Sequence, residues 1–423
     1  MKCNALLCAL LACLAVAGQA RALESRVRDG VLYLDGKPFI PIMIWLQPDA
    51  SFPRMAELGV NTICGLYLKD TDGGQRIIEA VDAASAAGLR YVLGYDGKPE
   101  RREALAAASG RPNVIAWIHG DEPDLPHAGA APDSDPGARD WQPRSTAEQV
   151  AAERRAMREV NPDLPAFMTL TAHFMASKTN RFPAERKAAI YPPLIASCDA
   201  AGFDTYPIYG TNMPGNLRDV LQGTRELRAL AGPQRLLYAW IETNKGSKWI
   251  TYEKQLDVLP VHTRSEVWMA LIGGARAIGY FTHAWRPEPY TPFACNAAMQ
   301  AELKRLNAQI TRLTPALCAP AAAGASMRLA DGLAGQMLAT RHDGALWIFA
   351  QNLDLGPASE ELKQGQNIAP RAGVAEFNVE GLAAGATVEV VDEQRSLVAA
   401  DGGFSDAFEP LGVHIYRIAL PAP

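Results

Sequence analysis

The chain has 423 residues, 48% hydrophobic and 21% charged, with a formal net charge of −5 and a pI near 5.9. That length exceeds one ordinary domain and suits a large barrel with a small partner; the composition supports a large core and excludes general disorder. The acidic balance, with no Lys/Arg-rich run, excludes a basic nucleic-acid surface.

The N-terminus has a positive start at Lys2, an apolar run over 5–17 and a small-x-small site at Ala20-Arg-Ala22. Residues 1–22 are therefore expected to be a secretory signal peptide. The run is too short to span a bilayer, which takes about 20 residues. The mature protein is expected to be exported, periplasmic or extracellular, with no membrane attachment after cleavage. Lipidation at Cys13, in Leu10-Leu-Ala-Cys13, is the alternative. Cys64, Cys198, Cys295 and Cys318 remain after cleavage and lack metal-ligand spacing.

Residues 26–39 predict a β-hairpin with Asp-Gly turns. Strand-helix units follow. Strands are expected at 40–45, 61–67, 90–94, 114–119, 166–171, 200–205, 236–241 and 277–281. Helices are expected at 52–58, 75–87, 101–108, 145–160, 184–190, 217–230, 264–273 and 297–313. Ser145-Thr-Ala-Glu148 matches a capping box at the start of the fourth helix. Eight units at this spacing predict a (β/α)8 TIM barrel over 23–315, including the hairpin. The Pro-, Gly- and Asp-rich stretch 123–144 is expected to be an insertion or lid beside the site. From 316 to 423 short alternating runs replace helical periodicity, at 336–340, 346–350, 374–379, 387–391 and 413–418. They predict a small C-terminal antiparallel β-sandwich, read as a structural cap.

Two glutamates stand out. Glu122 follows the apolar run of Asn113-Val-Ile-Ala-Trp-Ile-His-Gly-Asp-Glu-Pro-Asp124, and Glu242 closes that of Arg235-Leu-Leu-Tyr-Ala-Trp-Ile-Glu242. Carboxylates at the exits of barrel strands sit on the catalytic face, and two on different strands are the minimum for cleaving a glycosidic bond. The bland alternative is a loop-edge residue or a structural ion pair. His173, after strand five, is a candidate to contact substrate or orient Glu122, with a structural histidine as its alternative. Trp45 ends strand one and is expected to line the cleft.

This arrangement resembles clan A of the glycoside hydrolases, over about residues 31–315 and including Leu34-Asp-Gly-Lys-Pro-Phe39. The resemblance implies that Glu122 is the general acid/base and Glu242 the nucleophile. It also implies that Tyr206, in Asp204-Thr-Tyr-Pro207, hydrogen-bonds the nucleophile, and that Trp285 forms the floor on which a sugar ring stacks. One position departs from the pattern. Asp121 stands where the clan has an Asn that contacts the sugar 2-hydroxyl, and an ionised Asp can only accept hydrogen bonds.

The sequence thus predicts an exported retaining glycoside hydrolase acting on a β-linked oligo- or polysaccharide by double displacement. It needs no cofactor and no metal. Carboxyl groups about 5–5.5 Å apart would fit retention, and about 6.5–9.5 Å inversion. A much larger gap, or either side chain turned into the core, would sink the enzyme assignment and leave the first rival, a non-hydrolytic glycan-binding barrel, as the better account. A metal-dependent hydrolase using His119, Asp121 or His283 is the second rival, although strand one lacks the His-x-His pair of metal-dependent amidohydrolase barrels. No Gly-rich phosphate loop or nucleophile elbow is present.

Overall fold

A computed structural model of the protein describes residues 23–69, 72–129 and 140–420. The expected signal peptide lies outside these residues. Eight parallel strands close into a barrel: β1 Ile42–Trp45, β2 Thr62–Cys64, β3 Arg90–Gly94, β4 Val114–Ile118, β5 Ala166–Thr171, β6 Ala200–Asp204, β7 Leu236–Glu242 and β8 Ala277–Phe281. Closure comes from β8 against β1, with Ile278 opposite Ile42. The outer helices are α1 Phe52–Glu57, α2 Gln75–Ala86, α3 Arg102–Ser109, α4 Ala147–Val160, α5 Ala184–Ile195, α6 Asp219–Ala231, α7 Pro260–Gly273 and α8 Ala297–Leu317. Strands covered on both faces need apolar side chains throughout, which is why β4 and β5 are buried along their whole length.

The barrel interior is filled from β7. Tyr238 and Trp240 point inward, and the Thr169 hydroxyl pairs with the Tyr238 hydroxyl at 2.9 Å and takes the Trp240 indole N–H at 3.0 Å. These rings fit because the neighbouring strands carry glycine at the same level. A Cβ on Gly202 would sit 2.0 Å from the Tyr238 ring, and one on Gly279 would sit 2.1 Å from the Trp240 ring.

The N-terminal hairpin is a three-stranded sheet, Ser25–Arg28, Val31–Leu34 and Lys37–Phe39. Its two turns place Asp29-Gly30 and Asp35-Gly36 at positive φ, as the Asp-Gly pairs predict. Leu32 and Leu34 pack with Met43, Phe167, Leu236 and Ala277 and close the bottom of the barrel.

Two corrections concern α4 and the segment before it. The capping box sits one residue later than expected: Thr146 takes the Gln149 N–H at 3.3 Å, and Gln149 Oε1 takes the Thr146 N–H at 2.7 Å. The Ser145 N–H is bound instead to the Pro123 carbonyl at 2.8 Å, which ties off the insertion. The two ends of the insertion pair as antiparallel strands, Pro126–Ala128 with Trp141–Pro143; its middle, 130–139, lies outside the described residues.

The C-terminal region forms a five-stranded and a three-stranded antiparallel sheet around Phe377, Phe404 and Tyr416. The sequence reading missed three of these strands, Ala325–Leu329, Arg395–Val398 and Gly403–Phe408. The first two carry arginines at sheet edges, and the third buries Asp406 against Arg395 and Tyr416. The sheets are seated on the outer helices. Phe349 stacks on Trp268 of α7 at 6.0 Å, Gln351 donates to the Ser265 carbonyl and Thr340 to the Ala316 carbonyl.

Gly202→Ala is expected to lower unfolding free energy by about 1–3 kcal/mol, the usual cost of overpacking. Denaturant unfolding checks this, and wild-type stability in the variant would show that the Tyr238 layer yields freely.

Candidate active site

Strand β4 delivers the first carboxylates between two anchors. His119 is buried, with Nδ1 2.7 Å from Glu153 Oε2 and Nε2 3.1 Å from the Ser197 carbonyl. The other Glu153 oxygen takes the Gly120 N–H at 3.2 Å. Beyond the carboxylates, buried Asp124 accepts the Thr171 N–H at 2.8 Å, the Thr171 hydroxyl at 2.6 Å and the Tyr191 hydroxyl at 3.1 Å. Burial pushes the Asp124 carboxyl up to about 7, and these donors oppose the rise. Between the anchors Glu122 has φ 48° immediately before Pro123. Such a conformation costs on the order of 1–3 kcal/mol and persists where the surroundings over-determine it, as at ligand-binding and catalytic positions.

Glu122 meets a second acid that the sequence reading left unassigned. Asp204, the last residue of β6, is hydrogen-bonded to Glu122. Burial at the foot of the cleft raises the Asp204 carboxyl well above its ordinary range, and the like charges of Glu122 and Asp121 add to the rise. Asp204 therefore holds the proton and donates to Glu122. On the other side, Arg144 lies 3.5 Å from Glu122 Oε2 and also donates to the Asp121 carbonyl. The insertion thus places a guanidinium against the site. Asp121 reaches solvent at one edge, but the protein around it, and next the charge of Glu122, push its carboxyl up to about 7 against the pull of Arg144. Asp121 is thereby shifted toward the neutral form, which can donate a hydrogen bond as the clan's Asn does.

An aromatic wall rises beside this cluster. Tyr206 lies 4.9 Å from Phe281, and Phe281 stacks on Trp285 at 5.9 Å and 17°. Tyr209 touches both Tyr206 and Phe281 and continues to Trp249, which is 63% exposed. Burial and then the negative charge of Asp204, Asp121 and Glu122 raise the Tyr206 phenol well above its usual value. Tyr206 and Trp285 thus lie on one wall with the Glu122 cluster at its foot. Trp45 stands edge-on to Trp240 at 5.3 Å, capping the inner layers of the barrel.

Glu242, the expected nucleophile, is held inside the protein. It is 0% exposed and accepts the backbone N–H of Ile208 at 2.9 Å and that of Tyr209 at 2.6 Å. Its remaining partner is Glu266 of α7, also fully buried. Among the described residues no hydrogen bond joins Glu242 to Glu122 or to Tyr206. The physical reason is the loop after β6, whose amides capture Glu242 and turn it under the wall. His173 takes a supporting place, 3.0 Å from the Thr171 hydroxyl that binds Asp124. Burial first, then Arg181, Lys187 and Lys178, lower the His173 pKa to about 4, so it is neutral at pH 7.

The residues of the metal reading are engaged apart from one another. His283 binds the Trp45 carbonyl at 2.9 Å and the Tyr290 hydroxyl at 2.6 Å, while His119 is held by Glu153. Among the described residues no group of three or more His, Cys, Asp and Glu side chains is arranged to hold a metal ion.

No protein-family model and no curated protein matches this chain. Solved structures do. A putative α-galactosidase/melibiase from Bacteroides fragilis is similar at TM-score 0.52 and 14% identity, over 90% of this chain and 79% of that one. The α-amylase of Geobacillus thermoleovorans, complexed with acarbose, is similar at TM-score 0.51 and 10% identity, over 88% and 92%. AmyP in complex with maltose reaches TM-score 0.50 at 10% identity, over 88% and 90%. The chain shares with these proteins a barrel fold that spans most of both molecules.

Asp204 was detectable by the rule that found Glu122 and Glu242, since it closes the apolar run Ala200-Ala-Gly-Phe-Asp204. Asp124→Ala is expected to strand buried donors at about 1–3 kcal/mol each, and to release Glu122 from its strained conformation. Denaturant unfolding, read together with turnover, checks this; unchanged stability would remove Asp124 as the anchor.

Proposed function

We propose that this protein is an exported glycoside hydrolase whose reacting carboxyl groups are Glu122 and Asp204. The observation that carries the reading is the hydrogen bond between these two acids at the foot of an aromatic wall. One carboxyl is protonated and its neighbour is the acceptor, which is the division of labour that glycoside cleavage requires. Trp285, Phe281 and Tyr206 offer ring faces to a sugar. The shared fold of solved enzymes such as the Geobacillus α-amylase, which is complexed with acarbose, supports a carbohydrate substrate.

In this mechanism Glu122 attacks the anomeric carbon while Asp204 transfers its proton to the leaving oxygen. Asp204, now ionised, takes a proton from the water that displaces the sugar and frees Glu122. Acids in direct contact leave no room for the water that inversion holds between them. Double displacement, at roughly 5–5.5 Å, requires the two acids to part when substrate enters between them. The roles thus differ from those the clan resemblance implies: Glu122 becomes the nucleophile and Asp204 the acid/base. The β-linkage expectation rested on the pairing of Glu122 with Glu242, so both α- and β-aryl glycosides belong in the assay.

Asp204→Asn is expected to reduce turnover by about 10²–10⁴-fold, with a smaller loss on nitrophenyl glycosides, whose leaving groups need little protonation. Glu122→Gln should lose at least as much on every substrate. Glu242→Gln removes no reacting group and should lose far less turnover than Asp204→Asn or Glu122→Gln. The proton on Asp204 is needed for the first step, so kcat/KM should fall as pH rises through its elevated pKa, and that alkaline limb should change in Asp204→Asn. Loss of turnover in Glu242→Gln with Asp204→Asn unaffected would return the nucleophile to β7. The burial of Glu242 favours a second reading, a glycan-binding barrel; wild-type protein that binds oligosaccharide without releasing product would select it.

A further inference from the structure

Glu242 and Glu266 form a second carboxyl pair, and the mechanism above does not use it. Both are 0% exposed. Glu242 accepts two backbone N–H groups, from Ile208 and Tyr209, so it is the ionised member. Neither Glu266 oxygen meets an N–H or hydroxyl donor; the neighbouring group is the Glu242 carboxyl, which Glu266 reaches by sharing one proton. The Glu242 carbonyl is tied back to α7 by the Thr263 hydroxyl at 2.8 Å. The segment 205–210 bound this way carries Tyr206 and Tyr209, the two tyrosines of the aromatic wall.

We infer that Glu266 is a positioning residue: with Glu242 it makes a one-proton clamp that holds the loop after β6, and loss of that proton releases Tyr206 and Tyr209 from the wall beside Glu122 and Asp204. Two ionised carboxylates cannot share a dry site. Once Glu266 ionises, the pair repels and Glu242 no longer holds the amides of Ile208 and Tyr209. The surroundings offer no substitute charge. Tyr209 presents a buried hydroxyl without a partner. His262 on α7 takes the Leu259 N–H at its Nδ1. Arg264 pairs with Glu302 of α8, which is also paired with Arg305. On α6, Leu221 and Thr224 meet Gly273, and Arg228 is engaged by the Gly232, Arg235 and Gly274 carbonyls; the C-terminal sheet brings the neutral Gln351 to Ser265. Burial raises both carboxyls. The folded protein therefore holds protons that the unfolded chain gives up, and the contribution of the clamp is complete at acid pH and lost as pH rises.

The clamp stands apart from the glycosidase reading; only its effect on the site rests on that reading. The test is amide hydrogen exchange at Ile208 and Tyr209 against pH, corrected for intrinsic rates, with amides of the C-terminal sheet as the global control. In the wild type, protection of these two amides should fall roughly tenfold per pH unit between the ordinary carboxylate range, where the open loop ionises, and the raised ionisation of the closed pair, the linkage slope for one proton. The control amides should stay flat. Glu266→Gln supplies an N–H donor that cannot ionise, so it should keep the protection and abolish the slope. A flat wild-type profile, or a wild-type slope retained in Glu266→Gln, would overturn the clamp. The wild-type arm decides even if the variant does not fold. Protein with no glycosidase activity at any pH but with the predicted exchange would overturn the function and leave the clamp standing.

Discussion

A single proton between Glu122 and Asp204 is the constraint on which the upper face of the barrel depends. Two carboxylates at hydrogen-bond distance repel unless one is neutral, and both sit where solvent is partly excluded. The molecule meets this with fixed scaffolding on each side. Glu153 grips His119 and Gly120 before the acids, Asp124 is bound by Thr171 and Tyr191 after them, and Arg144 leans on Glu122 from the insertion. The positive φ of Glu122 is tolerated because these anchors hold the chain on both sides.

The same chemistry occurs twice in the fold with different consequences. Glu122 and Asp204 line the cleft and can exchange a proton with a ligand or water. Glu242 and Glu266 are sealed from solvent, and their proton serves the loop between them and the cleft. The two pairs meet through that loop, because Tyr206 lies between Asp204 and the segment whose amides Glu242 binds. Access to solvent, more than residue type or strand-end position, separates a reacting carboxyl from a structural one here.

Much of the barrel was legible in the sequence. Eight short apolar runs alternating with helical segments fall close to the observed strands, because a barrel strand buried on both faces leaves an uninterrupted apolar signature. The C-terminal sheets were harder to read: the edge strand Arg395–Val398 turns Val398 outward and Arg395 inward to Asp406, so its burial alternates but its hydrophobicity does not. At the site, strand-exit position singled out Glu122 and Glu242, and the clan resemblance added Tyr206 and Trp285. Strand-exit position could not rank Glu242 against Asp204. That ranking is set by the Ile208 and Tyr209 amides and by Glu266, contacts made between separate elements and invisible in the local sequence of β7. Asp124 and Arg144 were hidden for a similar reason, since each acts across a loop.

The most direct measurement is to trap the covalent intermediate. A 2-deoxy-2-fluoro glycoside of a sugar that the enzyme turns over slows breakdown of the glycosyl-enzyme, and peptide mass spectrometry then locates the labelled carboxylate. The account predicts the label on Glu122. A label on Glu242 would contradict it and would require the loop after β6 to release that carboxylate into the cleft during catalysis.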